Sequence, residues 1–258
     1  MKKINLKLSL VALLLSASSM LGAQDYTVDL SNSSDSRIKI LEVNRVKVEA
    51  YDGDKIEIVA EGKREDSDRA AGLTPLSARG KDNTGIGLNV EKKGNEVTVF
   101  QAARRGQGRY VIKVPKNIQI FIEHTGNWEG GEIEVFGAAG ELEVSGRYNS
   151  VHLEDVTGPA LVNTVYGSVD AIFTSLSQAG PTSLVSVYST VDVTLPSDTK
   201  ANISIKTPYG EAYSDMDIEF PQTEGMKRLN STVEGTINGG GVDLSIKASY
   251  QNAYLRKK

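Results

Sequence analysis

From residue 118 onward, apolar and polar residues alternate with a period of two. Ile118, Ile120 and Ile122 are followed by Ile133 and Val135, then by Leu142 and Val144. Such alternation predicts short strands with one buried face. The earlier chain carries the same grammar in bursts. Ile38 and Ile40 precede Val46 and Val48, and Ile56 and Ile58 come after the turn Asp52-Gly53-Asp54, which reads as a hairpin. A second hairpin is predicted where Ile86, Leu88 and Val90 meet Val97 and Val99 across Lys93-Gly94-Asn95, with Tyr110, Ile112 and Val114 following. The chain is expected to be all-β.

Between the two hairpins, residues 62–85 lack strand periodicity and are expected to form a structural flap. Arg104, Arg105 and Arg109 form a basic cluster among Gly106 and Gly108. Cradling a phosphate there would need a helix to follow, and none is predicted, so a solvated turn is expected.

The alternation is organised into a repeat. Copies read GRYNSVHL at 146–153, TVYGSVDA at 164–171, SVYSTVDV at 186–193, TPYGEAYS at 207–214 and ASYQNAYL at 248–255. Taking the aromatic residue as the anchor, Trp128, Tyr148, Tyr166, Tyr188 and Tyr209 are spaced by 20, 18, 22 and 21 residues, and Asn230 divides the remaining 41 to Tyr250. The residue three after each tyrosine is apolar: Val151, Val169, Val191, Ala212 and Ala253. So is the residue four before: Val144, Val162, Leu184, Ile205 and Ile246.

A unit of ~20 residues cannot bury its own face, so copies must stack, each strand pairing with its equivalent one turn away. The expected fold is a single-stranded β-solenoid of ~20-residue rungs, with irregular N-terminal hairpins as first turns or a cap. A β-sandwich of hairpins is the alternative, since strands spaced by ~8–12 residues suit it too. One domain over 24–258 is predicted, irregular over 24–117 and regularly repeating over 118–258. Stacking in register would align Trp128, Tyr148, Tyr166, Tyr188, Tyr209 and Tyr250 on one corner. That ladder either stiffens the corner through ring packing or presents an amphipathic platform to a sugar or a protein.

Composition then narrows the setting. Residues 1–23 join Lys2, Lys3 and Lys7 to an apolar run, Leu8–Leu15, and a small-residue stretch ending at Ala23. This is expected to be a secretory signal peptide, its apolar core too short to span a bilayer. Its removal takes three lysines and no acid, leaving 26 basic against 33 acidic residues, a net −7 in place of −4. An acidic chain argues against nucleic acid as a partner, and the absence of cysteine excludes disulfides and thiolate metal sites. The product is expected in the periplasm, on the outer surface or outside the cell, with no integral membrane segment.

Chemistry is sparse. His124 and His152 are the only histidines and have no ligand spacing around them; His152 should face outward and His124 inward. No metal, cofactor or catalytic residue is expected. Asp155, Asp170, Asp192, Asp215 and Asp217 are spread along the repeat, as solvation would place them. A polysaccharide-active β-helix enzyme is the enzymatic alternative, and it would need such groups gathered in one groove.

The phrases Asp82-Asn83-Thr84-Gly85-Ile86-Gly87-Leu88, Tyr110-Val111-Ile112-Lys113-Val114-Pro115-Lys116 and Ile237-Asn238-Gly239-Gly240-Gly241, with the ending Tyr254-Leu255-Arg256-Lys257-Lys258, carry a resemblance. Together with the repeat, they make the chain similar to the bacterial exported putative-adhesin family of unknown function with β-strand repeats, in its Bacteroidetes form. The resemblance implies a β-solenoid-like fold and an adhesion role, and brings no catalytic residues. The family repeat tends to read Thr-x-Asn-Gly-x-Ile or Val. This chain keeps Asn at 230 and puts tyrosine at 148, 166, 188, 209 and 250, so the role of the family's asparagine does not transfer to those sites. The expected function is a non-enzymatic cell-envelope adhesin or scaffold whose partner is a cell-surface glycan or protein, with a glycan-binding module as an alternative.

Overall fold

The structure, a computed structural model, describes residues 25–31, 35–62, 68–103, 108–126, 130–221 and 232–258. The proposed signal peptide, Trp128, Arg104, Arg105 and Asn230 lie outside the described residues.

Each copy of the repeat gives one strand to each of two sheets. Leu142–Gly146 lies in one sheet and Ser150–Val156 in the other, and the next copies do the same with Ala160–Thr164 and Val169–Phe173, then Thr182–Ser186 and Val191–Leu195. Like strands pair in parallel from copy to copy. The period-two pattern therefore aligns into columns on the inward faces. One column runs Val99, Ile40, Ile122, Val144, Val162, Leu184, Ile246, Ile205, none more than 2 % exposed. Facing it, Ile112, Val48, Val135, Leu153, Ala171, Val193 and Leu255 line the other sheet. Each large aliphatic side chain so buried contributes about 1.5–3 kcal/mol.

The all-β class is borne out, in two ten-stranded sheets. The sheets are mixed and open. Asp25–Asp29, Leu88–Lys93 and Thr232–Ile237 run antiparallel to their neighbours at three of the four outer edges, and the three-residue strand Ala212–Ser214 forms the fourth. Short or charged edge strands such as these blunt the tendency of an open ladder to recruit another chain.

Two expectations about order are corrected. First, copies do not stack throughout in chain order. Val242–Ala248 and Ala253–Lys257 sit between the unit 182–195 and the unit containing Ala201–Lys206 and Ala212–Ser214. The inner place demands an apolar residue where Leu255 is fully buried; the outer unit has Ser214 there, which is exposed. The strand that follows Asn230 runs antiparallel on the outer edge of Ala201–Lys206, so it forms no further parallel rung.

Second, Val46–Tyr51 and Lys55–Glu61 are not hairpin partners. Arg109–Pro115 lies between them, parallel to the first and antiparallel to the second. Alternation tells which face of a strand is buried, and the neighbour is chosen by which strands can align their buried faces. The N-terminal strands Arg37–Leu41, Val46–Tyr51, Glu96–Gln101 and Arg109–Pro115 are thereby regular members of the two parallel arrays. The hairpin Leu88–Lys93 to Glu96–Gln101 forms as expected, with Gly94 at φ +60° in its turn.

The stretch 82–88 is a closed turn. The carboxylate of Asp82 accepts from the N–H groups of Thr84 at 3.0 Å, Gly85 at 2.9 Å and Gly87 at 2.8 Å, and from the Thr84 hydroxyl at 3.0 Å. A buried acid is tolerable there because amide donors replace its water.

Candidate functional site

The tyrosines stand at the corner where the first strand of each unit turns into the second. Two residues before each lies a small, buried side chain: Gly146, Thr164, Ser186, Ala248 and Thr207. The hydroxyls among them tie the corner in two directions. Thr164 accepts from Gly167 N–H at 3.3 Å and donates to the Asn149 carbonyl of the preceding unit at 2.8 Å. Ser186 repeats this, accepting from Ser189 N–H at 3.0 Å and donating to the Gly167 carbonyl at 2.7 Å. Gly167 is required for the approach, since a Cβ there would lie 1.8 Å from the Asn149 oxygen.

The tyrosine amides form a ladder of their own. Tyr166 donates to Arg147, Tyr188 to Val165, Tyr250 to Val187 and Tyr209 to Ser249, at 2.9, 2.8, 3.0 and 3.1 Å. With backbones held at strand spacing, the rings must stack. Centroids are 4.8 Å apart from Tyr148 to Tyr166, 5.0 Å from Tyr166 to Tyr188, 4.8 Å from Tyr188 to Tyr250 and 4.9 Å from Tyr250 to Tyr209. Interplanar angles are 6–9°. Five of the six predicted ladder residues are thus brought together, with Tyr250 and Tyr209 exchanged relative to chain order; the sixth, Trp128, lies outside the described residues.

This geometry decides what the ladder can touch. Inner ring faces cover one another, leaving no room for a sugar ring between rungs. What faces solvent is a strip of ring edges and phenol hydroxyls, with Tyr166, Tyr188 and Tyr250 46–47 % exposed. Among the described residues, none of these five hydroxyls has a hydrogen-bond partner. Among the described residues the outer ring face of Tyr209 is open, and this residue is 74 % exposed. At the other end the Arg147 guanidinium lies 5.4 Å from the Tyr148 ring centroid.

His124 points inward, as expected, and lies within the corner. Its Nδ1 is 2.8 Å from Asn149 Oδ1, and the Asn149 amide donates to the Asn44 carbonyl at 3.2 Å. His152 is on the outer face, 3.3 Å from Glu154 and against the Phe136 ring.

A second aromatic pair was not anticipated as a site. Tyr213 and Tyr254 stack at 5.5 Å on the outer face, and Arg256 lies over Tyr254 while making a bidentate contact to Asp192 at 2.8 Å. The signal was present, because these tyrosines follow their anchors by four residues in both copies. The Tyr213 hydroxyl donates to Glu211, which raises its pKa above the ordinary phenol value, through the hydrogen bond first and the carboxylate charge second.

The repeat's aspartates are taken up locally. Asp170 accepts from Ser168, Asp192 holds Arg256, Asp215 accepts from the Lys257 N–H, and Asp217 and Asp155 face Lys257 and Lys258. Asp170 and Asp192 are direct neighbours across strands. Elsewhere, a cleft of about 700 Å³ gathers Arg45, Glu61, Arg109, Glu132 and Glu134, with Arg109 ion-paired to Glu134. Among the described residues no three His, Asp or Glu side chains come together as a metal site, and no helix is long and apolar enough to cross a membrane.

No family model matches the chain, and no curated protein matches it. Two solved structures share similarity across most of it. A putative cell adhesion protein from Clostridium sporogenes gives a TM-score of 0.47 at 11 % identity, over 92 % of this chain and 100 % of that one. A putative adhesin from Bacteroides fragilis gives 0.40 at 8 % identity, over 92 % of this chain and 98 % of that one.

Proposed function

We propose that the chain is an exported, non-enzymatic contact protein of the cell envelope, an adhesin built on a β-solenoid, whose tyrosine corner is the contact strip. The observation that carries this is the row of five stacked phenol rings on a hydrogen-bonded corner, four of them exposed, whose hydroxyls bond to none of the described residues. A column serving packing alone has no need of hydroxyls held toward water. Tyrosine, rigid and amphipathic, gives up little entropy when it meets a partner. The acidic composition and the residue 1–23 pattern support export and a partner other than nucleic acid.

The test separates hydroxyl contact from stacking. The triple variant Tyr166→Phe, Tyr188→Phe, Tyr250→Phe keeps the ring stack and removes three hydroxyls. Purified chain is applied to panels of immobilised glycans and matrix proteins and to whole cells. At least tenfold weaker binding, about 1.4 kcal/mol, with an unchanged melting temperature is expected. Equal binding by the triple variant, or no binding by the original chain to any panel or cell, would sink the contact-strip reading.

A glycan-binding module is the second reading, favoured by the open outer face of Tyr209. On that reading Tyr209→Ala alone abolishes glycan binding. A polysaccharide-active enzyme is the third reading; its acids would be found in the cleft of Glu61, Glu132 and Glu134, where Arg109 pairs with Glu134.

A further inference from the structure

The inserted unit shares half its residues, and its apolar pattern, with the unit it displaces. Aligned by their shared register, residues 203–214 and 244–255 are identical at six positions: Ser204 and Ser245, Ile205 and Ile246, Lys206 and Lys247, Tyr209 and Tyr250, Ala212 and Ala253, Tyr213 and Tyr254. The acceptor face is Thr182–Ser186 with Val191–Leu195. Ile246 lies beside Leu184 and beside Ile205, so Ile205 would meet Leu184 in the same register were the insert withdrawn. The same holds in the other sheet for Val191, Ala253 and Ala212.

Two segments of one chain therefore fit one acceptor face, and the earlier one can sit on it before the later one arrives. Leu255 favours the later unit, because it fills the core where Ser214 cannot. A segment that binds by strand pairing in a fixed register, joined through the short stretch 238–241 to the edge strand Thr232–Ile237, has the properties from which exchange between identical chains arises.

We propose that the unit 242–257 is a strand-exchange module: it enters the slot of a second copy of this chain, interlocking two molecules reciprocally. With the insert withdrawn, the slot closes on itself by a one-rung shift of 201–214, or is refilled from the second copy. A donated unit brings its own tyrosine into the ladder, so the contact strip survives exchange, and the proposal stands independently of the function assigned to that strip.

Ser183 and Ser245 are strand neighbours on the outer face of this slot, and the chain has no cysteine of its own. Full-length Ser183→Cys and Ser245→Cys chains are denatured together, refolded at increasing concentration and oxidised. Exchange yields a covalent dimer of one chain of each kind, joined between positions 183 and 245 by peptide mapping, and rising with concentration. Light scattering on the unsubstituted chain, refolded likewise, shows the mass doubling. A single-chain mass at every concentration overturns the proposal. So does a dimer lacking the 183–245 link while the double variant Ser183→Cys, Ser245→Cys closes that bond within one chain.

Discussion

The hydroxyl of Ser186 donates to the carbonyl of Gly167, one unit away, at 2.7 Å, with both residues buried beneath the tyrosine corner. Ser186→Ala leaves that carbonyl and the Ser189 N–H without this partner. A loss of about 1–3 kcal/mol is expected, measured by urea denaturation, with the tyrosine stack retained.

Gly167→Ala acts on the same junction by a different route. Its Cβ would overlap the Asn149 carbonyl oxygen, which is corner backbone held in place by the Thr164 hydroxyl. Destabilisation of about 3 kcal/mol is expected, read as a lower urea midpoint with an unchanged slope.

Ladder order makes a prediction that chain order reverses. Tyr250 stacks on two rings and Tyr209 on one. Tyr250→Ala should cost about 1–3 kcal/mol and Tyr209→Ala about half of that, at ~0.5–1.5 kcal/mol per aromatic pair. Paired thermal unfolding measurements check the ratio; equal costs would place the two units differently.

Asp82→Ala removes the one carboxylate that satisfies three backbone amides in its turn. Each charge-assisted bond is worth about 1.5–3 kcal/mol, and water can replace only part of them in a buried turn. A loss of at least ~2 kcal/mol is expected, with hydrogen exchange speeding first at Gly85 and Gly87.

Alkaline titration has a defined sign at Tyr213. Its folded pKa is raised by Glu211, so the protonated phenol is favoured in the folded chain. The associated stability is present below the unfolded phenol pKa and is lost as pH rises through the folded value. Glu211→Gln should bring that tyrosine's ionisation, followed by ultraviolet absorbance, to lower pH.

Much of this was legible in the sequence. Period-two alternation placed Val144, Val162, Leu184, Ile205 and Ile246 in one column, and they are in one column. Tyrosine spacing gave the stack for a related reason: equal registers on neighbouring strands leave the rings nowhere else to go. Order was not legible. Units 203–214 and 244–255 share the same apolar pattern and half their residues, and the choice between them turns on Leu255 against Ser214, a difference that matters only once the depth of each place is known. The false hairpin at 46–61 failed likewise, because a turn such as Asp52-Gly53-Asp54 is equally able to lead a chain past a neighbour that arrives later. The Ser186 and Thr164 bridges were hidden because a hydroxyl in a strand reads as surface until its partner is seen.

The placement of 242–257 also has a mechanical meaning. Each of its strands is paired on both sides, so withdrawing the unit must break two ladders in each sheet. A unit at the end of the stack would peel from one. The shortest of these ladders is the three-residue one to Ala212–Ser214, so force on the unit opens that seam before the five-residue ladder to Val191–Leu195.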